Sequence, residues 1–498
     1  MSSLGLLATQ QARRLLTSWP VLAAIAVTAL LAALSTVLGI RLLDARHERY
    51  TVLLQQLVRE QTRTTPADDA HLEPGLRVIR PPSPGLAIIR GSDGSAPTFW
   101  DFAPAGVQPT TEQDLRNFDD AGPIIDMEFV VRVLLALLAL ILAANATRAV
   151  SPGGALVGLR SLPLPHARLW LGQLAGAGIV LVLAWCAVAA AAATVIAVMV
   201  QETGQRDTIL ELLARLSGPA LLYLIVMLGL GGILATYFRH GQSQYFAILV
   251  SWVSVCLLGP PTVTSLARVW SPVPAFDTMN NSRADVYAEE IRKGEEATGE
   301  ALAQLRLGDP TPVTAMSDER HRDALEVIWT AHTSLARTRA ADVQEIWDRQ
   351  LRRHERALRT MEWFSPASLF LRIASDMART GRQDRAAWSD GIVRHARCVE
   401  ATFFDNPARA RLRIPSPRGR RLAVMTRHQE VELRALPQFN TGALVNAPLN
   451  TDLALWAAIL GYGIALPAVA VIGFVRGPDG LLPTFRRRPR NRTTRGAS

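Results

Sequence analysis

The chain is poor in the residues that carry most catalytic and redox chemistry. Lys293 is its single lysine. A P-loop needs a GxxxxGK[ST] motif, because the lysine and the loop amides neutralise nucleotide phosphates; there is none, so the chain is not itself a P-loop ATPase. The three cysteines, Cys186, Cys256 and Cys398, lie far apart with no CxxC spacing, which excludes a disulfide framework or a Cys-based zinc site. Its nine histidines are scattered singly, without HExxH or an i,i+4 pair, and read as packing or surface residues. A GxSxG elbow and a GxGxxG following a strand are also missing. No catalytic, cofactor-binding or metal-ligating residue is assigned, and an enzyme of its own is not expected.

Long apolar runs are what the sequence has in quantity. At 498 residues, 49% hydrophobic and of positive mean hydropathy, it is too apolar for a soluble multidomain protein. A bilayer core of ~30 Å needs about 20 helical residues, and six segments qualify: 20–43, 128–148, 169–200, 218–238, 244–262 and 452–475. The first is too long for a cleaved signal segment and reads as a retained helix. The fifth stops at Pro260-Pro261, and the second must tolerate Arg132, which is expected to snorkel outward. The run interiors hold no Asp or Glu, which argues against proton-driven transport, whereas sodium sites built from carbonyls stay open.

Orientation follows the Arg bias of the short connections. With the N-terminus inside, Arg13, Arg14, Arg148, Arg160, Arg168, Arg239 and the tail 476–498 all fall on the cytosolic side. That tail carries seven arginines, among them Arg476, Arg486, Arg487 and Arg488, against the one acid Asp479. Six crossings return both termini to the cytosol, with the lipid membrane as a partner of these flanking arginines. The net charge of +10 is not read as nucleic-acid binding, because no basic stretch is interleaved with aromatics.

Two insertions then face outward, 44–127 and 263–451. In the first, which is broken by Pro and Gly, residues 77–94 read as a short extended segment ending in a turn. The second is mainly helical. Apolar residues such as Leu325, Ile328, Trp329, His332, Leu335, Val343, Ile346, Trp347, Leu351, Leu358 and Met361 recur at three- and four-residue steps, giving one amphipathic helix or two. Further helices are expected over Pro366–Arg379 and from Arg382 to about Phe404. Since the smaller insertion lacks a face that could close a core alone, the two are expected to fold together. At the other end, Leu4, Leu7, Ala8, Gln11, Arg14, Leu15 and Trp19 suit an amphipathic helix at the inner surface, residues 1–19. Small residues in 169–200 and 218–238, such as Gly176, Gly229, Gly231 and Gly232, predict close helix packing.

The cytosolic loop 149–168 holds a Pro-bounded turn ahead of the third apolar run. Its segment from Gly154 to Ser161 fits a short helix, which Pro163 and Pro165 end, with Arg168 at the interface. Such a helix suits a groove on a soluble partner, and a plain connecting loop remains the alternative. "LRSLPLPHARLWLGQLAGA" resembles the corresponding segment of permease subunits of type-2 ABC exporters, through Leu159, Ser161, Pro163, Arg168, Leu171, Gly172, Leu174 and Gly176. The stretches "RPPSPGLAII" (80–89) and "FSPASLFLRIASDMARTGRQDRAAWSDGIVRHAR" (364–397) are similar to a bacterial branch of these permeases with large extracytoplasmic insertions. Where family members place an acid and then Arg-Gly, this chain has Arg148-Ala149-Val150.

The resemblance implies a mainly α, six-helix polytopic inner-membrane protein with a mostly helical extracytoplasmic domain built from the two insertions. It also implies a coupling site at Leu159, Arg160, Ser161, Pro163, Pro165 and Arg168. Its expected partners are an ABC ATPase subunit, which binds the ATP and Mg, and a second permease, identical or paralogous. Two rival readings stand beside it: a mechanotransmitter that uses the same ATPase to move an envelope partner, and a membrane-anchored structural or sensory protein.

Overall fold

The computed structural model describes residues 3–61, 64–66, 77–91, 99–103, 106–110, 125–150, 165–238, 241–304, 319–404, 430–432 and 453–476. Helix α1 spans Ser3–Leu16 and α2 Trp19–Gln61; α3 joins Met127–Phe129, a π-helical turn Val130–Leu135 and Ala136–Val150. Next come α4, His166–Met199, and α5, Thr203–Tyr237. Helix α6 joins Gly241–Trp252, a second π-helical turn Val253–Leu258 and Gly259–Trp270. The remaining helices are α7, Phe276–Gln304; α8, Glu319–Glu362; α9, Pro366–Met377; α10, Arg382–Phe404; and α11, Leu453–Arg476.

Five of the helices are long and apolar enough to cross a membrane: α2 over Trp19–Gln56, α3 over Met127–Ala149, α4 over Ala167–Met199, α5, and α6 over Gln242–Trp270. In α11 the described apolar stretch, Trp456–Ile472, is shorter. The chain is thus a mainly α protein of polytopic membrane character. The helices run alternately up and down, so α1, the start of α4 and the end of α11 lie at one end of the bundle. The described parts of both long insertions lie at the other, called here the insertion end.

Glycines set the closest approaches, as the stripe of small residues predicts. A Cβ on Gly231 would stand 2.9 Å from the backbone of Leu140 in α3, and one on Gly229 2.8 Å from the Pro467 ring in α11. A Cβ on Gly232 would stand 3.1 Å from the indole of Trp170 in α4. These contacts put α5 at the centre, with Leu216, Tyr223, Leu224 and Met227 fully buried. Outward-facing Leu30, Leu34 and Leu38 of α2 and Phe246, Leu249 and Val250 of α6 stay exposed, as a lipid-facing surface requires.

Two helices run past the apolar segments that mark their expected spans. The first apolar helix does not stop at residue 43; α2 runs on to Gln61, about 65 Å at 1.5 Å per residue. Residues 44–61, rich in Arg, Glu, Gln and Leu and free of Gly and Pro, favour that continuation. Nor does the fifth end at Pro260-Pro261, since α6 passes through them to Trp270.

Described parts of the two insertions meet, in line with the expectation that the smaller one lacks a face to close a core alone. Thr65 in β1 (Thr64–Pro66) pairs antiparallel with Val431 in β5 (Glu430–Glu432). Strands β2 (Arg77–Ile79), β3 (Phe99–Ala103) and β4 (Gly106–Thr110) form an antiparallel sheet. After β2 the chain turns inward: Ser83 caps a 3-10 turn, Pro84–Ala87, and Leu86 to Ile89 are buried. This plug lies against Gly39 of α2, where any Cβ would collide with the Ala87 carbonyl. It also holds the end of α9, because the Ser83 hydroxyl donates to the Ala378 carbonyl at 2.7 Å and Arg80 pairs with Asp384 at 2.7 Å.

Helix α9 begins where expected, Ser365 accepting from the Ser368 amide ahead of Pro366. It ends in a Schellman turn, with Thr380 N–H bonded to Ser375 C=O at 3.0 Å and Arg379 at φ 54°. Arg80 donates to the Arg379 carbonyl at 3.2 Å, tying this left-handed residue to the plug. Below it, Glu362 accepts from Arg372 at 2.8 Å and from Arg382. Helices α7 and α8 pair as a long arm, the expected stripe over 322–361 forming a single helix. Buried Glu290 of α7 takes Lys293 at 2.9 Å and Arg339 of α8.

Candidate functional site

Two places concentrate polar chemistry among the described residues. The first is the end of the bundle opposite the insertions, where loop 149–168 joins α3 to α4. Leu159, Arg160, Ser161 and Pro163 lie outside the described residues, as do Arg239, Arg486, Arg487 and Arg488; Arg476 is the last residue of α11. Pro165 caps α4, and Arg168 sits exposed in its first turn, its amide bonded to the Pro165 carbonyl at 2.9 Å.

Both feet of this loop are fixed. On the buried side Trp170 donates its indole N–H to Thr147 Oγ1 at 3.1 Å, locking α4 to α3. On the exposed side Arg148 lies 5.8 Å from the ring centre of Tyr245, and that hydroxyl reaches Asn145 at 3.5 Å, tying α3 to α6. Helix α1 then seats on α4. Gly172 receives Leu7, with a Cβ there only 2.8 Å from Leu7 Cβ, and Gly176 receives Ala8 and Gln11 at 2.7 Å. The Gly-x-x-x-Gly spacing places both glycines on one face and lets the backbones touch. Leu7, Ala8, Gln11 and Leu15 are buried by this contact, while Arg13, Arg14 and Trp19 stay exposed. The structure has an amphipathic helix over Ser3–Leu16 with its apolar face on α4; Arg14 and Trp19, which the sequence pattern grouped with that face, lie off it.

The second place lies near the insertion end, inside the bundle, and the sequence reading missed it. Arg132 does not snorkel outward. Its Nε donates to Glu128, one turn earlier, and its Nη1 donates to the backbone carbonyl of Cys256 in α6. That carbonyl lacks an ordinary donor for a covalent reason. In an α-helix it would accept from residue 260 and in a π-helix from residue 261, and both are prolines without N–H. The sequence signal was therefore present in Pro260-Pro261, but only as a missing donor; which side chain supplies it depends on the fold.

The π-turn of α3 also takes side-chain donors from its neighbours. The Ala136 amide bonds to Val131 and Val133 and bypasses the Arg132 carbonyl. The hydroxyl of Tyr223 in α5 donates to the Arg132 carbonyl at 3.1 Å and lies 3.4 Å from Cys256 Sγ. Trp252 of α6 donates its indole N–H to the Val133 carbonyl at 2.8 Å. Above, Phe370 of α9 stacks on the Tyr223 ring at 5.0 Å and 17°. Glu128, Tyr223 and Cys256 are buried, so the cluster satisfies its own hydrogen bonds with little help from water.

Among the described residues no group of three or more His, Cys, Asp or Glu is placed to hold a metal. The first place offers two helix ends tied together that carry the exposed Arg148 and Arg168, and the second a polar joint between helices. No protein-family model matches the chain, and no curated protein matches it.

Proposed function

We propose that the chain is the membrane subunit of an ATP-driven exporter, crossing the inner membrane six times with both termini in the cytosol. In this reading α11 completes the crossings, and the paired insertions form an extracytoplasmic domain. A separate P-loop ATPase binds and hydrolyses ATP with Mg, and its movements enter through loop 149–168. A second permease, a copy or a paralogue, completes the machine.

One observation carries the reading: the loop is mounted on both sides, by Trp170 on Thr147 and by α1 on Gly172 and Gly176. A push on a loop so mounted moves α3 and α4 as levers instead of being absorbed at its feet. The resemblance of residues 159–176 to exporter coupling segments gives the loop its partner. Purifying the tagged protein in mild detergent tests this. A stoichiometric P-loop ATPase is expected to accompany it, and a chain that repeatedly comes alone or with envelope proteins only overturns the reading.

The mechanotransmitter reading is favoured by one feature. Helix α6 runs unbroken from the loop end to Trp270, where its last turns pack Val263 and Ala267 against Leu358 of α8, and His354 reaches the Ser271 carbonyl at 2.8 Å. The arm is thus rooted directly on a membrane helix. ATPase-dependent movement of the arm without transport of any solute in proteoliposomes would select this alternative.

A further inference from the structure

The hydrogen bonds between α3 and α6 are reciprocal, and the reciprocity falls on the two π-helical turns. Arg132, inside the π-turn of α3, serves a carbonyl inside the π-turn of α6, that of Cys256. Trp252, the residue before the π-turn of α6, serves a carbonyl inside the π-turn of α3, that of Val133. A π-turn holds one extra residue in its loop and is a strained, uncommon register that persists when other groups satisfy the displaced carbonyls. Arg132 supplies a donor that the Cys256 carbonyl otherwise lacks, and Trp252 adds a donor to the Val133 carbonyl, which also takes the Ala136 amide.

We propose that the two π-turns work as one joint, in which α3 and α6 change register together or not at all. If the turn of α3 returned to the α register, the residues before it would rotate by about 100° and advance about 1.5 Å. Arg132 would then leave the Cys256 carbonyl, which Pro260 and Pro261 cannot serve. If the turn of α6 changed register first, Trp252 would swing away from Val133. Neither change is favourable alone.

The joint sits where it can link distant parts. Met127, just before the α3 turn, accepts no slack from the plug: its amide bonds to the Ile88 carbonyl at 3.1 Å, and Asp126 caps α3 while accepting from the Arg90 amide at 3.2 Å. Just after the α6 turn, a Cβ on Gly259 would stand 3.0 Å from Ser365 Oγ at the start of α9, and the following turns root the arm. A paired register change therefore rotates the arm root against the plug. The joint is a property of this chain and stands whether or not the partner is an ATPase.

Cys256 reports on the joint, since its side chain is buried within it. In a C186S/C398S background, the alkylation rate of Cys256 by a maleimide is measured on the purified full chain in detergent. Trp252→Phe removes only the bond to Val133 in α3, yet it is expected to raise the rate about tenfold. Arg132→Lys, which can keep the charge opposite Glu128 while losing the fork that also reaches Cys256, is expected to do the same. The double variant should label no faster than the faster single one, with gel-filtration profile and helical content unchanged throughout. The proposal is overturned if Trp252→Phe leaves Cys256 as protected as in the parent, or if the two effects multiply. Tyr223→Phe, which keeps the stack on Phe370, gives a third route to the same readout should Arg132→Lys fail to fold.

Discussion

The guanidinium of Arg132 donates to the backbone carbonyl of Cys256, 124 residues away, which two consecutive prolines leave without an amide donor. The charge that does this is held by Glu128 from the same helix. A buried ion pair at this depth costs several kcal/mol to desolvate, so its retention is explained by what it completes. It lets α6 continue through Pro260-Pro261 and carry the arm.

Arg132→Leu should therefore destabilise the protein by about 3–5 kcal/mol, because it leaves Glu128 buried without a partner. Adding Glu128→Gln should recover part of that loss, the remainder being the bare Cys256 carbonyl at about 1–3 kcal/mol. Thermal unfolding in detergent, followed by tryptophan fluorescence, measures both. Equal stability of the single and double variants would show that the carboxylate is not the source of the cost.

Replacing Gly176 by valine should lift α1 from α4, since even a Cβ there meets Ala8 and Gln11 at 2.7 Å. Trypsin should then cut at Arg13 and Arg14 about tenfold faster while the rest of the bundle stays intact. On the exporter reading proposed above, the same variant should also copurify with less of the proposed ATPase. Undiminished capture with α1 released would remove α1 from the docking site.

At the insertion end, Glu362→Gln should cost about 3 kcal/mol by withdrawing the carboxylate that Arg372 and Arg382 share. The break lies at the junction of α8 and α9, so backbone amides of Ser365–Arg372 should exchange faster while those of α7 stay unchanged. Protection lost equally in both would mean that arm and cap unfold as one unit.

Asp376 gives the cap a pH dependence. Burial pushes its carboxyl up to about 6, against the pull of Arg372 and Arg382 and with help from Glu362. Its folded value lies above the ordinary one, so between about pH 4 and 6 the folded chain holds the proton that the unfolded chain releases. Stability should therefore fall as pH rises through that window and level off above it. Asp376→Asn should flatten this slope, and an unchanged slope in denaturant midpoints from pH 4 to 7 would assign it to another group.

Much of the architecture was legible because the physics behind it is local. Twenty apolar residues in a row need a bilayer wherever they occur, and Leu7, Ala8, Gln11 and Leu15 share a face by helical spacing alone. The three- and four-residue rhythm over 322–361, the Ser365-Pro366 start of α9 and the glycines of α5 likewise carry their meaning within a few turns of chain. Helix α2 can be followed past residue 43 in the sequence, since no Gly or Pro lies between there and Pro66; the apolar run marks the expected span, and the helix extends beyond it.

The candidate joint was not legible, and the reason is equally physical. An arginine near the end of an apolar run satisfies local rules by pointing outward, and Pro-Pro satisfies them by ending a helix. Each rule gives way only when the other residue is near, and that proximity is set by the packing of α3, α5 and α6. The plug and α9 are similar: Ser83 and Ala378 are 295 residues apart and mark no pairing in the chain. Composition and spacing thus determined the helices and the surface each must bury. Tertiary packing alone decided which donor meets which bare carbonyl, because a hydrogen bond is a property of two groups and the sequence presents them one at a time.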